Sequence, residues 1–401
     1  MLNCGFVVSK SDDCLFFLRD KQGLLQGMAG WHVDDGLLTG NKVFWDAMKE
    51  VGKHLEFGKH AEKSFKFCGM QINQSDDGTV TADQIEMNKR LEDIPMPKDG
   101  RNLTADCTPQ EITLIRGRIG AILYITGMTR PYESYMVSHL ASWATRAKVF
   151  HIKKVNELIK HIRDKEPDVG LIYRGGCSVD YMYTFHDSSF KQERESGSQF
   201  GIFTFVGPKI DKHGDIKGVS LLRWASKRAR RVCHSTLAAE TLAATSGLDS
   251  QAGMAYRLDE VDMKPKSILL TDCMSLFTHV YAMTGKTAEI LLPDIHELRE
   301  ASMPWRNALS DEYVDQFVEL WWVPTEKQVA DHLTKADTPS SKELLEVVLK
   351  QGLIRLGTKY QRPRSTQQAH SFGVASILSI LHVATVEPSP MLALLAEVFD
   401  D

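Results

Sequence analysis

Tyr183-Thr184-Phe185-His186-Asp187-Ser188-Ser189 is a short, mostly apolar run that carries a carboxylate near its end. Ile268-Leu269-Leu270-Thr271-Asp272 has the same pattern later in the chain. Both runs predict buried strands, because each is short, apolar and bounded by polar residues. Strand ends converge at one edge of a sheet, so we expect Asp187 and Asp272 to lie close together.

Two further acids have local sequences that suit the same site. Glu240 lies in the Ala- and Leu-rich stretch 235–258, which predicts a helix, and Asp331 opens a second predicted helix over residues 326–334. A carboxylate on a packed helix of small residues needs a partner or a metal ion. Mg²⁺ prefers carboxylate oxygens, and two such ions can clamp the reacting oxygens of a phosphodiester. The sequence therefore predicts a two-ion Mg²⁺ site, with Mn²⁺ as a substitute, formed by Asp187, Glu240, Asp272 and Asp331.

The alternative for these acids is structural: solvated carboxylates at strand ends and helix caps. Asp331 in particular would suit the first turn of a helix, where its charge complements the helix dipole. Glu240 fits this alternative less well, because its neighbours Leu237, Ala238, Ala239 and Leu242 are apolar.

The bulk composition limits the class of protein. A chain of 401 residues with 43% hydrophobic content is long enough for two or three domains with their own cores. The net charge of −4 excludes general polyanion binding by the whole chain, so any nucleic-acid contact must be a local patch.

The cysteines and apolar runs predict the compartment. The seven cysteines form no CxxC pair, which argues against a zinc site or a disulfide framework and indicates a reducing environment. The N-terminus lacks the pattern of a signal peptide, and the apolar runs 374–385 and 391–399 are too short to span a bilayer. We therefore expect an intracellular protein, cytoplasmic or nuclear, that is not secreted and has no membrane partner.

The order of predicted elements changes near residues 165–175. Before this point, the chain predicts hairpins, including strands 24–33 and 37–39 around Asp34-Asp35-Gly36, and then helices over 111–126, 132–145 and 146–164. After it come strands at 182–186, 200–206, 219–224, 268–271 and 317–323, with helices between the later strands. This order predicts an α/β domain with a central five-stranded mixed sheet.

Several short motifs resemble, in order, the C-terminal part of a copia-type retrotransposon Pol polyprotein. That part comprises the end of the reverse transcriptase and the ribonuclease H domain. The motifs that carry the resemblance are Trp31-His32-Val33-Asp34-Asp35-Gly36, Phe67-Cys68-Gly69-Met70-Gln71-Ile72, Gly120 to Tyr124 with Thr129-Arg130-Pro131, Trp224-Ala225-Ser226-Lys227, Ser235 to Glu240, and Ala330-Asp331-His332-Leu333-Thr334-Lys335. Each motif is weak alone, but six in the family's order are specific.

The resemblance implies a domain plan and an activity. Residues 1–100 would be a reverse transcriptase palm remnant, 101–165 a helical thumb or connection, 171–336 a ribonuclease H-like domain, and 337–401 a C-terminal tail. The implied reaction is metal-dependent hydrolysis of the RNA strand of an RNA–DNA hybrid, with Asp187, Glu240, Asp272 and Asp331 as catalytic ligands. Other parts of the element's polyprotein are further expected partners.

The polymerase motif is expected to be inactive. Asp34 and Asp35 match the family's paired catalytic aspartates, but the third metal-binding aspartate and the fingers would lie upstream of residue 1. Asp-Asp-Gly is also common turn chemistry. The sequence departs from the family elsewhere too, since Asp187 lies in His-Asp-Ser-Ser where the family usually has Asp-Ala-Asp.

A run of basic residues precedes the Glu240 helix. It predicts either an exposed loop or a rim that binds phosphates with salt-sensitive, non-specific affinity. Its members are Arg223, Lys227, Arg228, Arg230 and Arg231. The alternative to an active nuclease is a catalytically inactive nucleic-acid-binding remnant of a decayed element, and a third possibility is an unrelated metal hydrolase.

Overall fold

A computed structural model describes the chain over eight segments. These are residues 1–164, 170–190, 197–281, 291–303, 305–306, 313–314, 316–335 and 339–363. The apolar runs 374–385 and 391–399 lie outside the described residues. No helix in the described segments is long and apolar enough to cross a membrane.

The N-terminal region forms an antiparallel sheet whose strands are adjacent in chain order. The strands are β1 (Phe6–Val8), β2 (Leu15–Arg19), β3 (Leu25–His32) and β4 (Asp35–Gly40). Helix α1 (Lys42–Val51) follows, and the Asn41 side chain caps its N-terminus. Its buried face, Phe44, Met48 and Val51, packs in one cluster with sheet residues such as Phe6 and Ala29.

A second antiparallel sheet joins the two halves of the sequence. Its strands are β5 (Ser64–Phe67), β6 (Met70–Gln74), β7 (Val80–Asp83) and β8 (Leu171–Tyr173). Between β5 and β6, Cys68 and Gly69 take positive φ angles of 48° and 70° and form a tight turn. Strand β8 lies at the sequence position where we placed the start of the ribonuclease domain, yet it pairs with β7.

Four helices follow the first strands of this sheet, three of them in the region where the sequence predicts helices, and they pack as a bundle. Its helices are α2 (Ile85–Lys89), α3 (Pro109–Met128), α4 (Ser134–Ala141) and α5 (Val149–Asp164). Thr108 and Glu111 form a capping box at the start of α3, which satisfies backbone N–H groups at the helix end. Apolar residues of α3, α4 and α5 share one core that includes Ile122 and Ile152.

Residues from two of the sequence motifs make structural contacts with this bundle. The Tyr124 hydroxyl donates to the Cys68 carbonyl oxygen at 2.7 Å. Arg130 forms a fully buried ion pair with Glu133, at 2.9 Å between Nη2 and Oε1. Although burial opposes it, hydrogen bonds from His161 and Arg130 lower the pKa of Glu133 to about 2. A buried charge needs such pairing to be tolerated.

The second half of the chain contains the predicted five-stranded mixed sheet. Its strands lie in the order β12–β10–β9–β13–β16: β9 (Tyr181–Ser189), β10 (Gln199–Gly207), β12 (Ser220–Arg228), β13 (Lys266–Thr271) and β16 (Val318–Trp322). Strands β9, β10 and β12 are antiparallel neighbours, whereas β9, β13 and β16 run parallel. The elements named β11 (Asp215–Lys217), β14 (Trp305–Arg306) and β15 (Tyr313–Val314) lie outside this sheet.

Helices cover one face of the sheet. Helix α6 (Thr236–Asp259) packs across β9 and β10, and α7 (Met274–Tyr281) and α8 (Leu292–Ser302) extend the same layer. The Ser235 side chain accepts a hydrogen bond from Ala238 N and so caps α6. Gly247 allows close approach, because a Cβ there would lie 3.1 Å from Leu269 and 3.5 Å from His186.

The other face is covered by the last part of the described chain. A 3₁₀ helix (Val329–Leu333) is followed by α9 (Pro339–Glu346), a π-helical turn (Val347–Gln351) and β17 (Leu353–Arg355), which pairs with β11. Leu345, Val348 and Ile354 share a core with Phe185 and Trp321 of the sheet. The described part of the predicted tail thus completes the sheet's second layer.

Three local predictions were wrong in detail. The hairpin at Asp34 and Asp35 turns one residue earlier, because Val33 takes a positive φ of 50° and Asp35 already pairs with His32 in the sheet. Asp187 lies inside β9 rather than at its end. Asp331 lies within a five-residue 3₁₀ helix and does not open an α-helix.

We expect Gly201→Ala to destabilise the fold by about 1–3 kcal/mol, because the added Cβ overpacks a closed contact. In the structure it would lie 2.5 Å from Leu333 Cβ and 3.0 Å from the Ala330 carbonyl oxygen. Urea unfolding of the purified chain measures the change.

Gly117→Ala is the matched control. Gly117 lies in α3, and a Cβ there meets nothing within 4 Å. Alanine should stabilise this helix by about 0.5–1 kcal/mol. Equal effects of the two substitutions would show that the Gly201 contact does not constrain the fold.

Candidate metal centre

Three of the four predicted acids meet at one edge of the five-stranded sheet. Carboxylate oxygens of Asp187, Glu240 and Asp272 all lie within 4.8 Å of one another. Asp187 and Glu240 are buried, and Asp272 is partly buried. Within the described segments, this is the one group of three or more His, Cys, Asp or Glu residues close enough to share a metal ion.

The sheet register brings the two aspartates together. Strands β9 and β13 run parallel, with Phe185 beside Leu270. Extending the same register by two residues along each strand places Asp187 beside Asp272. The parallel pairing of these two sequence-distant strands therefore places the two carboxylates close together.

Helix α6 supplies the third carboxylate. Glu240 lies in its second turn, on the side that packs against β9. The Ser188 hydroxyl donates to Glu240 Oε1 at 2.8 Å, which fixes the carboxylate beside Asp187. The other oxygen, Oε2, is buried and has no hydrogen-bond partner among the described residues.

The site is electrostatically costly without a cation. Burial raises the pKa of Asp187 well above its usual range, and the charges of Glu240 and Asp331 raise it further. Burial also raises the pKa of Glu240 to about 8, an effect that the Ser188 hydroxyl opposes and the Asp272 charge reinforces. The pKa of Asp272 is raised, mainly by burial. Like charges in a low dielectric disfavour each other's ionisation.

The fourth predicted acid, Asp331, lies beside the group rather than within it. Its Oδ1 accepts from Lys335 Nζ at 2.7 Å. The Lys335 ammonium also lies 3.8 Å from Asp187 Oδ2. Burial alone would lower the pKa of Lys335, but the carboxylates of Asp187, Asp331 and Asp272 raise it overall. Lys335 is therefore a built-in countercharge for the site.

Sequence reasoning did not assign roles to Thr334, Lys335 or Ser188. Thr334 Oγ1 donates to Asp187 Oδ2, so the residue that follows the 3₁₀ helix carrying Asp331 orients Asp187. Thr334 and Lys335 lie in the Ala330-to-Lys335 motif, and that motif was the sequence signal that could have identified them. Ser188 follows Asp187 directly, and the alternation of a strand points it to the α6 face.

The three carboxylates fit a hard divalent cation. Their oxygens are close enough to share an ion, and the unpartnered Glu240 Oε2 provides a ligand that no protein donor satisfies. Mg²⁺ is bound by one or more carboxylates together with substrate phosphate and water. The donor set contains no thiolate or imidazole, which the softer metals prefer.

The structure does not bring Asp34 and Asp35 into any such group. Both are exposed in the N-terminal hairpin. Among the described residues they join no third acid at metal-binding distance.

The basic run is divided between several positions. Arg223 and Lys227 both lie on β12, two residues either side of Ala225. Burial lowers the pKa of Lys227, and the nearby charges of Arg223 and Arg230 lower it further. Burial lowers the pKa of Arg223, and the nearby Arg257 of α6 lowers it further. Arg223, and by strand alternation Lys227, therefore lie on the α6 side of the sheet.

The two remaining arginines of the run lie elsewhere. Arg228 borders a small cavity beneath α4, with Tyr135, His139 and Gln199 among its walls. Arg231 is exposed and pairs with Asp294 of α8 at 2.8 Å. The run is therefore not one continuous rim.

Comparison with known proteins adds little. No family model matches the sequence, and no curated protein matches it. Among solved structures, the chain is similar to the N-terminal RNase H domain of a Mycobacterium tuberculosis protein, solved as a fusion with maltose-binding protein. The identity is 14%, the match covers 41% of this chain and 98% of that one, and the TM-score is 0.28.

We expect the metal-free protein to lose stability as the pH rises from about 4.5 to about 8. In the folded chain Glu240 keeps its proton up to a pKa of about 8, whereas the unfolded chain releases it near the ordinary value of 4.5. Over that interval the folded state binds more protons, so the free energy of unfolding falls with rising pH. Urea unfolding in EDTA at several pH values measures the slope.

Glu240→Gln should flatten this slope, because the glutamine cannot ionise. Asp249→Asn, at an exposed position on the same helix, is the control: burial raises the pKa of Asp249 too, but less than that of Glu240, so this variant should keep most of the parental slope. Identical slopes for all three proteins would mean that Glu240 titrates normally and the site is more hydrated than its burial indicates.

Proposed function

We propose that this chain is a metal-dependent nuclease of the ribonuclease H type, which hydrolyses the RNA strand of RNA–DNA hybrids. The observation that carries the proposal is the convergence of Asp187, Glu240 and Asp272 within 4.8 Å. Three clustered carboxylates, two of them buried and one partly buried, have no structural use that offsets their repulsion, whereas a phosphodiester-cleaving metal site needs that charge. The order of motifs in the sequence supports the choice of reaction.

Asp187, Glu240 and Asp272 would hold two Mg²⁺ ions, with Asp331 at the margin of the site. When bound, the ions supply activation of water and stabilisation of the charge on the leaving 3′-oxygen. Mn²⁺ is expected to substitute.

The surrounding residues hold these ligands in position. Thr334 donates to Asp187 and Ser188 donates to Glu240, so each buried carboxylate is oriented by a hydroxyl. Lys335 bridges Asp331 and Asp187 and keeps its proton, because its pKa is raised. Burial of the ligands excludes bulk water, which strengthens every electrostatic interaction in the site.

Substrate selection is expected to come from shape and charge. Ribose 2′-hydroxyls in a shallow minor groove distinguish RNA strands from DNA. The cations Arg223, Lys227 and Arg230 lie on β12 and just after it, ahead of the α6 helix that carries Glu240. We assign these three cations to non-specific phosphate contacts. Arg228 and Arg231 would contribute less, because Arg228 borders a small cavity and Arg231 pairs with Asp294.

We further propose an origin in a copia-type Pol polyprotein, with the domain plan that the sequence implies. Residues 1–100 would descend from a polymerase palm, 101–165 from its thumb or connection, 171–336 from the ribonuclease domain, and 337–401 would be the tail. The exposed Asp34 and Asp35, with no third acid nearby in the described chain, support descent without polymerase activity.

One observation favours a second candidate, an inactive nucleic-acid-binding remnant. Lys335 already neutralises part of the carboxylate charge, and it holds Asp331 at 2.7 Å. If the ammonium replaces a cation permanently, the protein would bind nucleic acid without cleaving it.

We expect Asp187→Asn, Glu240→Gln and Asp272→Asn each to reduce hybrid cleavage by about a thousandfold or more, since each removes a charge that binds metal. Asp331→Asn should retain partial activity at raised Mg²⁺ concentration. The assay is Mg²⁺-dependent cleavage of an RNA–DNA hybrid that is labelled on its RNA strand.

Asp249→Asn again provides the control, because it removes an acid from α6 outside the site. Wild-type protein that is folded yet inert with both Mg²⁺ and Mn²⁺ would replace the nuclease proposal with the inactive remnant. Full activity in Glu240→Gln would refute the proposed ligand set.

We expect Lys227→Ala combined with Arg230→Ala to weaken hybrid binding and reduce its salt dependence, with a loss of about 0.9 in log–log slope per phosphate contact. Arg231→Ala should change binding less, because Arg231 is paired with Asp294. Fluorescence anisotropy at several salt concentrations measures both. Equal losses for the two variants would mean that the local pairing does not decide which arginine contacts phosphate.

A further inference from the structure

A basic groove lies on the surface beneath the sheet, apart from the metal centre. It encloses a cavity of about 450 Å³. Its walls are the turn before β11 and the segment after β17, and its lining residues are Lys212, Gly214, Gly357, Thr358, Tyr360 and Arg362. The lining contains no carboxylate, imidazole or thiolate, so a metal ion is not the expected ligand.

Two glycine turns form a closely packed floor of the groove. Gly214 and Gly357 both take positive φ angles, of 81° and 71°. A Cβ on Gly214 would lie 1.9 Å from the Gly357 carbonyl oxygen, so only glycine allows the two turns to touch. By contrast, a Cβ on Gly357 would meet nothing within 4 Å, which leaves open space beside that backbone.

The aromatic wall fixes the guanidinium of Arg362. Its Cζ lies 4.3 Å from the Trp321 ring centroid and 5.2 Å from that of Tyr360, and the two rings stack at 5.4 Å. Arg362 Nη2 donates to the Tyr360 hydroxyl at 3.0 Å. A guanidinium has five N–H donors in a fixed plane, so stacking orients the remaining donors before any ligand arrives.

The groove region is strongly positive although the whole chain is acidic. Its two segments, residues 209–217 and 355–362, carry six cations and two carboxylates, against a net charge of −4 for the chain. The cations are Lys209, Lys212, Lys217, Arg355, Lys359 and Arg362. The Asp211 carboxylate is engaged, since it accepts from His213 N and Asp215 N and lies 3.4 Å from Lys217 Nζ. Asp215 lies opposite Arg355 in the β11–β17 ladder.

We infer that the basic groove binds a phosphate group, carried either by a nucleic-acid strand or by a free nucleotide. An orientated guanidinium can donate two parallel hydrogen bonds to two oxygens of one phosphate group, and Lys212 adds a second charge from the opposite turn. Thr358 offers a hydroxyl, and the Tyr360 side chain lines the same groove. This site goes beyond the nuclease proposal, because none of its residues belongs to the metal centre.

Binding by the full chain in EDTA tests the inference without any cleavage. The probes are a short fluorescent RNA–DNA hybrid, followed by anisotropy, and ADP, followed by calorimetry. Lys212→Glu should weaken binding of one or both probes by about tenfold at low salt, because it replaces an attraction with a repulsion. Lys212 lies in an exposed turn, so this substitution leaves the core untouched.

Lys359→Glu is the matched control: it makes the same charge change on an exposed residue of the same segment that does not line the cavity. It should weaken binding less than about twofold. Arg362→Gln provides a second variant, and circular dichroism checks that the loss of its stacking leaves the fold intact.

Loss of hybrid binding alone in Lys212→Glu would identify a nucleic-acid strand as the ligand, and loss of ADP binding alone would identify a free nucleotide. If Lys212→Glu and Arg362→Gln bind both probes as well as Lys359→Glu does, the inference is overturned. The nuclease proposal can fail separately. A wild-type protein that is inert in Mg²⁺, but whose hybrid binding still depends on Lys212, would refute the nuclease proposal and leave the groove inference intact.

Discussion

Three carboxylates held within 4.8 Å at one sheet edge are the constraint on which this structure depends. In a buried setting their mutual repulsion and desolvation oppose folding, and protonation or a cation must relieve them. The raised pKa values of Asp187, Glu240 and Asp272 express that cost. Lys335 offsets it in part, and divalent cations would offset the rest. A fold that retains such a cluster is less stable without a cation, but it concentrates negative charge at one position.

Several contacts around the cluster join the layers of the fold. Gly201 lies opposite Asp187 on β10 and has no Cβ, so the 3₁₀ helix of residues 329–333 can rest directly on the sheet. Ser226 donates to the Leu333 carbonyl oxygen at 2.6 Å, and Trp224 Nε1 donates to Thr126 O at 2.9 Å. The sequence motifs that contain Trp224 and Ser226 therefore connect the helical bundle, the sheet and the metal centre.

The sequence predicted those features that depend on short-range pattern. The strands around Asp187 and Asp272 and the helix around Glu240 follow from apolar runs and spacing, and the five-stranded mixed sheet follows from their order. It did not predict the countercharge from Lys335 or the exclusion of Asp331 from the cluster, because both depend on a 3₁₀ helix whose side chains are placed by tertiary contacts. The basic groove was missed for a similar reason, since its two walls are far apart in sequence and only the β11–β17 pairing joins them.

The most direct test of the central claim is a structure determined from crystals soaked in Mn²⁺, with anomalous scattering used to locate the ions. We expect at least one strong peak about 2.1 Å from oxygens of Asp187, Glu240 and Asp272, which is the distance at which small divalent cations bind carboxylates. Lys335 should remain beside Asp331. An absence of manganese at this edge, in crystals that take up the ion elsewhere or not at all, would contradict the account and leave the cluster as a protonated, structural group.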